Sequence, residues 1–121
     1  MEGESAMNNP VVRWQVLSPD PEASARFFTQ LFGWQVNRDN PLGYREVRAG
    51  EGGIDGGVWP APEGARPFVQ LYVRVADIDE MISKATSLGA TVIVPKAVLP
   101  EGDAMAVLVD PQGLPIAICT Q

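Results

Sequence analysis

Histidine is absent from this chain, and its absence decides what the other polar residues can do. Without an imidazole, neither a Ser–His nor a Cys–His pair can form, so nucleophilic catalysis of the usual kind lacks its base. The lone cysteine, Cys119, sits in an apolar C-terminal run, where a small core residue is expected rather than a reactive thiol. Glu46 and Asp55 would act as general bases only if buried, and an alternating strand normally turns such carboxylates to solvent. The richer pattern is polar residues at alternate positions. Arg13 and Gln15 alternate within Val11-Val12-Arg13-Trp14-Gln15-Val16, and Gln70, Tyr72 and Arg74 alternate within Val69–Val75. Convergent polar groups on an apolar wall are the usual form of a small-molecule pocket, and Tyr44 and Trp59 would add stacking surface. An ion pair of Arg13 with Glu46 or another carboxylate stands beside direct ligand contact as an equal reading, because a buried guanidinium needs a partner.

The elements that must position these residues follow from periodicity. Val12, Trp14 and Val16 alternate with Arg13 and Gln15, which predicts a strand whose apolar face packs on the next helix. Asp20-Pro21 is a helix entry, with an acceptor at the N-cap and proline in the first turn. Phe27, Phe28, Leu31 and Phe32 recur at helical spacing as a stripe expected to be buried, and Gly33 supplies a left-handed exit. A strand begins at Trp34-Gln35-Val36, turn chemistry fills Asn37–Gly43, and Tyr44–Arg48 alternates as a strand. After a glycine turn, Ile54–Trp59 reads as a short strand. Gly56-Gly57 inside it predicts a bulge or the close approach of another group.

The pattern then repeats. A strand near Phe68–Val75 has Leu71, Val73 and Val75 as its expected apolar face. A helix follows from an acidic cap, Asp77-Ile78-Asp79-Glu80, and is closed by Gly89. Ile78, Met81, Ile82, Ala85 and Leu88 form its expected buried stripe. Strands over Thr91–Val94, Ala104–Val109 and Leu114–Thr120 follow, the last two joined by the turn Asp110-Pro111-Gln112-Gly113. Laid over each other, the halves align Arg13 with Gln70, Gln15 with Tyr72 and Val16 with Val73. The expected fold is α+β, two tandem β-α-β-β-β modules that share one core. Residues 1–10 read as a flexible leader, with Met7 an alternative start, residues 11–60 as module one and residues 66–121 as module two.

Composition narrows the function classes. A chain of 121 residues, 45% of them hydrophobic, suits one domain with one shared core. Nine Lys and Arg against fifteen Asp and Glu leave a net charge of −6, which disfavours nucleic acid and anionic membrane surfaces. No apolar run approaches the ~20 residues of a membrane helix. The N-terminus lacks the basic and apolar regions of a secretory signal. A single cysteine cannot form an internal disulfide, so a reducing, cytoplasmic setting is expected.

Three stretches together resemble the vicinal oxygen chelate superfamily of glyoxalases, bleomycin-resistance proteins, fosfomycin-resistance enzymes and extradiol dioxygenases. Asp20-Pro21-Glu22 through Phe27-Phe28 and Leu31-Phe32-Gly33-Trp34 is similar to its acid, aromatic pair and FGW signature. Val75-Ala76-Asp77-Ile78-Asp79 with Leu88-Gly89-Ala90 resembles the second-module counterpart, and Asp110-Pro111-Gln112-Gly113 before Ile116 resembles its DPxG turn. The resemblance implies a homodimer and a glyoxalase/bleomycin-resistance fold, two tandem βαβββ modules forming a curved mixed sheet around a cleft in which the ligand binds. In enzymatic members that cleft holds a divalent metal on His, Glu or Gln. The family's ligand positions fall here on Arg13, Gln70 and Ala117, with Asp55 in the strand that would carry the fourth. Arg13 has no lone pair to offer, Ala117 has no donor, and a hard ion needs several converging ones.

The expectation is therefore a glyoxalase/bleomycin-resistance-like protein that binds a small organic molecule in the cleft between modules, with no metal and no cofactor. Its candidate ligand-binding residues are Arg13, Gln15, Tyr44, Glu46, Trp59, Gln70, Tyr72 and Arg74. The alternative is a metal-dependent lyase, isomerase or dioxygenase using Gln70, Asp55 and Glu46. A third class is a structural or interaction module whose cleft is filled by its own side chains.

Overall fold

The computed structural model describes residues 8–100 and 102–120. Most of the expected leader lies outside the described residues. Of its end, the Pro10 carbonyl accepts from the Arg74 amide at 2.9 Å. The order of elements is β1 (Val11–Ser18), α1 (Pro21–Phe32), β2 (Val36–Asn37), β3 (Arg45–Val47), β4 (Gly56–Pro60), β5 (Phe68–Arg74), α2 (Ile78–Ser87), β6 (Thr91–Val98), β7 (Ala104–Val109) and β8 (Pro115–Cys119). This is the expected α+β repeat of two β-α-β-β-β modules. The chain divides into two compact units, Arg13–Gln70 and Leu71–Gln121, the latter together with the segment ending at Val12.

In the first module the strand order is β2-β3-β4-β1. β1 and β4 run parallel, and β4–β3 and β3–β2 antiparallel. The Asp20 carboxylate caps α1 by accepting from the Ala23 amide, and Gly33, at φ 76°, closes the helix in the left-handed region with its amide bonded to the Thr29 carbonyl. Ser18, buried at the end of β1, fixes the turn into the helix. Its hydroxyl accepts from the Asp20 amide and lies 2.7 Å from the Ser24 hydroxyl.

The aromatic stripe of α1 is not buried as expected. Phe27, Leu31 and Phe32 are each more than half exposed, whereas the small Ala25 is fully covered. β2 and β3 have only two and three residues, so the sheet offers too little surface to cover four large side chains. The rings pack on one another instead. Phe28 lies 5.5 Å from Phe27, 6.3 Å from Phe32 and 5.4 Å from Trp34, and Trp34 lies 5.3 Å from Trp14.

The second module repeats the topology as β6-β7-β8-β5. β5 and β8 are parallel, and β8–β7 and β7–β6 antiparallel. Asp77 caps α2 by accepting from the Glu80 amide. Ile78, Met81, Ile82 and Ala85 pack onto Val75, Ala106, Leu108 and Ile118 as the main core cluster. Leu88, expected in that stripe, is 69% exposed because α2 ends at Ser87 and leaves it past the last turn. Leu71 also departs from expectation: the cluster takes in Val73 and Val75 and stops short of it. Val12 packs against Tyr72, Val107, Ala117 and Cys119 rather than on the helix that follows it. The expected reverse turn forms, with the Asp110 carboxylate accepting from the Gln112 and Leu114 amides and Gly113 at φ 92°.

Candidate functional site

Register places most of the first module's candidate residues on one face. Gln15 lies beside Gly57, Gly57 beside Glu46, and Glu46 beside Asn37, so the four form one row across β1, β4, β3 and β2. Paired residues on neighbouring strands share a face. Arg13, Leu17 and Trp59 fall on the same face by alternation. The opposite face carries Trp14, Val16, Gly56, Val58, Val47 and Arg45, and Arg45 reaches Glu22 on α1. The polar row is thus turned away from the helix.

Tyr44 bends over this row. Its ring lies 5.7 Å from Trp59, and its hydroxyl end occupies the space above Gly57, where any Cβ would collide with it. The expected close approach at Gly56-Gly57 occurs twice, because the Trp14 indole lies against Gly56 on the other face. Asn40, which sequence reasoning treated only as turn chemistry, holds Tyr44 from both sides. Its amide donates to the Tyr44 carbonyl at 2.7 Å, and its Oδ1 accepts from the Tyr44 amide at 2.8 Å. Asn-Pro followed by Gly signalled the turn but not its grip on an aromatic residue.

The charged residues divide between the faces. Glu46 is partly exposed, pairs with Arg48 at 3.2 Å and accepts from the Asn37 amide group. Asp55 is exposed and accepts from the Ala49 amide at 2.8 Å, closing the loop between β3 and β4. On the helix side, Glu22 accepts from Arg38 at 2.6 Å and Arg45 at 2.9 Å. Those two hydrogen-bonded guanidiniums, Arg38 first, push its pKa from 4.5 down to about 2. Sequence reasoning missed this cluster because its members are far apart in the chain.

The second module uses the equivalent row differently. Tyr72 lies beside Ala117, Ala117 beside Val107, and Val107 beside Val94. Tyr72, Val107, Ala117 and Cys119 form a buried apolar cluster, so the side chain of Tyr72 is packed as well as polar. Gln70 is also buried, at 7% exposure. Arg74 is half-buried beside Cys119. Cys119 is a core residue as expected, 1% exposed, with its thiol directed to the Val73 carbonyl at 3.8 Å.

A family model described as glyoxalase-like domain matches residues 14–119. The chain belongs to that family. The superfamily resemblance seen in the sequence therefore holds, and solved structures share the fold. One is a glyoxalase/bleomycin resistance protein/dioxygenase superfamily member from Vibrio splendidus 12B01, at 16% identity and a TM-score of 0.65, covering 91% of this chain and 96% of that one. Another is methylmalonyl-CoA epimerase from Mycobacterium tuberculosis, at 16% identity and a TM-score of 0.64, covering 90% and 85%. Curated relatives from Mycobacterium bovis and Mycobacterium tuberculosis, each named "Putative glyoxylase CFP32", are 29% identical over 107 residues. That match spans 82% of this chain and 41% of the relatives, so this glyoxalase-like domain corresponds to about two fifths of their length.

Among the described residues, no group of three or more His, Cys, Asp or Glu is placed to hold a metal ion. The donor chemistry at the positions that the sequence resemblance assigns to metal ligands fits one poorly. Arg13 carries a cation there, and Ala117, completely buried next to Tyr72, presents a methyl group. Asp55 and Glu46 each have partners already, the Ala49 amide and the Arg48 guanidinium. No helix among the described residues is long and apolar enough to cross a membrane.

Proposed function

We propose that this glyoxalase-like domain binds a small organic molecule, without a metal, against the polar face of its first module. The observation that supports this is the row Gln15–Gly57–Glu46, set under Tyr44 and Trp59 on the face away from α1. It combines a carboxamide, a carboxylate and two aromatic surfaces, with the Arg13 guanidinium on the same face. Few and convergent polar groups beside apolar surface suit orientation of a ligand rather than bond-breaking. Arg13 brings a fixed positive charge and five donors, which favours a ligand with a carboxylate or other anionic oxygen. Gln70, which is buried, and Tyr72 and Arg74 of the second module remain candidates in their own right. A homodimer and a cytoplasmic setting belong to the same reading.

The test is a thermal-shift titration of chelator-treated protein, first with zinc, nickel, cobalt, manganese and iron(II), then with small aromatic carboxylates. A ligand that binds only the native state raises its melting temperature, by about 2.7 kcal/mol of stability at a hundredfold excess over Kd. The expected result is no saturable rise with any metal and a saturable rise with an aromatic carboxylate. Arg13→Ala and Gln15→Leu abolish that rise without lowering the melting temperature of the free protein. A saturable rise with one metal overturns the metal-free reading and directs attention to Gln70, Asp55 and Glu46. Loss of folding in Arg13→Ala instead makes Arg13 a structural ion-pair member.

A further inference from the structure

A concavity lies on the opposite face of the first module, the side of Trp14 and Val47. It has a volume of about 320 Å³ and is lined by Trp14, Trp34, Val47, Ala49, Gly53 and Ile54. Trp14, Gly56 and Val47 are register partners on the helix side, so the sheet separates this pocket from Gln15 and Glu46. We propose that it is a binding site for a small, flat, neutral aromatic molecule, independent of the polar face.

Each wall is fixed by a local cause. Gly33, in the left-handed region, ends α1 and is followed directly by Trp34, whose ring lies 5.3 Å from that of Trp14 at 40°. Two indoles tilted in this way expose aromatic surface for offset or edge-on packing with a third ring. The Trp14 indole needs Gly56 beneath it, since a Cβ there would overlap the ring. The third wall is the loop from Ala49 to Asp55. Gly50 and Gly52 turn it at φ 77° and 84°, and the Asp55 carboxylate ties its ends together through the Ala49 amide. The Trp14 indole N–H donates to the Ile54 carbonyl at 2.7 Å, which joins two walls and removes that donor from a ligand's reach. The pocket is therefore formed before any ligand arrives, which lowers the entropic cost of binding.

Volume and lining select the ligand class. About 320 Å³ lies at the lower end of small-ligand pockets and suits one or two fused rings. With the Trp14 N–H engaged and no cationic side chain in the lining, an anion would lose its hydration and find at most the Trp34 indole N–H as a side-chain partner. The Asp55 carboxylate next to Ile54, in a chain of net charge −6, disfavours an anion further.

The experiment is a titration of the protein with 2-naphthol, followed by the indole N–H signals in ¹H–¹⁵N spectra, with 2-naphthoate as the charged comparison. The expected result is a saturable shift of the Trp14 and Trp34 signals with 2-naphthol and binding at least about tenfold weaker with 2-naphthoate. Ala49→Phe, which fills the pocket from an exposed position, and Ile54→Gln, which removes an apolar wall, each weaken 2-naphthol at least about tenfold. Gln15→Leu leaves 2-naphthol binding unchanged. Melting curves of the variants establish that each is folded. No saturable shift up to the solubility of 2-naphthol overturns the proposal, as does unaltered binding in both folded pocket variants. Loss of 2-naphthol binding in Gln15→Leu alone assigns it to the polar face and likewise overturns the proposal.

Discussion

Gly57→Ala tests the arrangement at the centre of the polar row. A Cβ at this position would collide with the hydroxyl and Cζ of Tyr44 and would lie 2.8 Å from the Arg45 carbonyl. Gly57 has no positive φ, so the expected cost is steric and not conformational. Tyr44 can swing away in part, but its backbone is held by two hydrogen bonds from Asn40 and its ring by Trp59. The Arg45 carbonyl is less free, because Arg45 is paired with Val58 in the β3–β4 ladder. Overpacking of this kind costs about 1–3 kcal/mol, and the fixed carbonyl places the expectation in the upper half, at about 2–3 kcal/mol. For a domain of this size that lowers the melting temperature by roughly 6–15 °C. The assay is urea unfolding of Gly57→Ala, Tyr44→Ala, the double variant and the parent. With the ring removed, the added methyl regains space, so the cycle should show a coupling of at least about 1 kcal/mol. A cost below about 0.5 kcal/mol, or the same cost with and without Tyr44, refutes the claim that Tyr44 rests on Gly57.

Three further outcomes follow from the local physics. Glu22 has a pKa of about 2 in the folded protein against an ordinary 4.5, so its pairing stabilises fully above the ordinary value and is lost as pH falls through about 2. Acid unfolding monitored by circular dichroism should therefore be less steep over that window in Glu22→Gln than in the parent. Asp110→Ala removes the acceptor for the Gln112 and Leu114 amides and should cost about 1–2 kcal/mol in urea unfolding, comparable to loss of a helix cap. Ile118→Ala, at a β8 residue only 4% exposed in the core cluster with Ile78, Ala106 and Leu108, should cost about 2–4 kcal/mol through the cavity it leaves, and calorimetry would register the fall.

Features set by near neighbours were legible in the sequence. The caps at Asp20 and Asp77, the exit at Gly33 and the turn at Asp110 depend on a few consecutive residues, and the structure reproduces them. Repetition of the strand–helix pattern was legible for the same reason, and with it the family. The close approach at Gly56-Gly57 was anticipated, though not the identity of the groups that approach. Exposure of Phe27, Leu31 and Phe32 was not legible, because it depends on how far β2 and β3 extend rather than on helical spacing. Equally hidden were the pairing of Glu22 with Arg45 and the closure of the Ala49–Asp55 loop. For the candidate site, alternation correctly grouped Arg13 with Gln15, whereas the apolar surroundings of Tyr72 emerge only from the β5–β8–β7 register.

The matching rows of the two modules carry unlike side chains. Where the first has Gln15, Gly57 and Glu46, the second has Tyr72, Ala117 and Val107. A fold that repeats its topology need not repeat its job, and here one copy can drift while the other stays still. On the proposed reading, substitutions at the partly exposed Trp59 in β4 and Glu46 in β3 would alter which molecule is recognised at modest expense to folding, whereas Gly56, Gly57, Val58 and Val47 are buried and must be left alone. The same substitutions transplanted to β8 and β7 would first damage the core. A search for altered specificity in this chain therefore has a preferred half, and random libraries spread evenly over both would lose most of their folded members in the second.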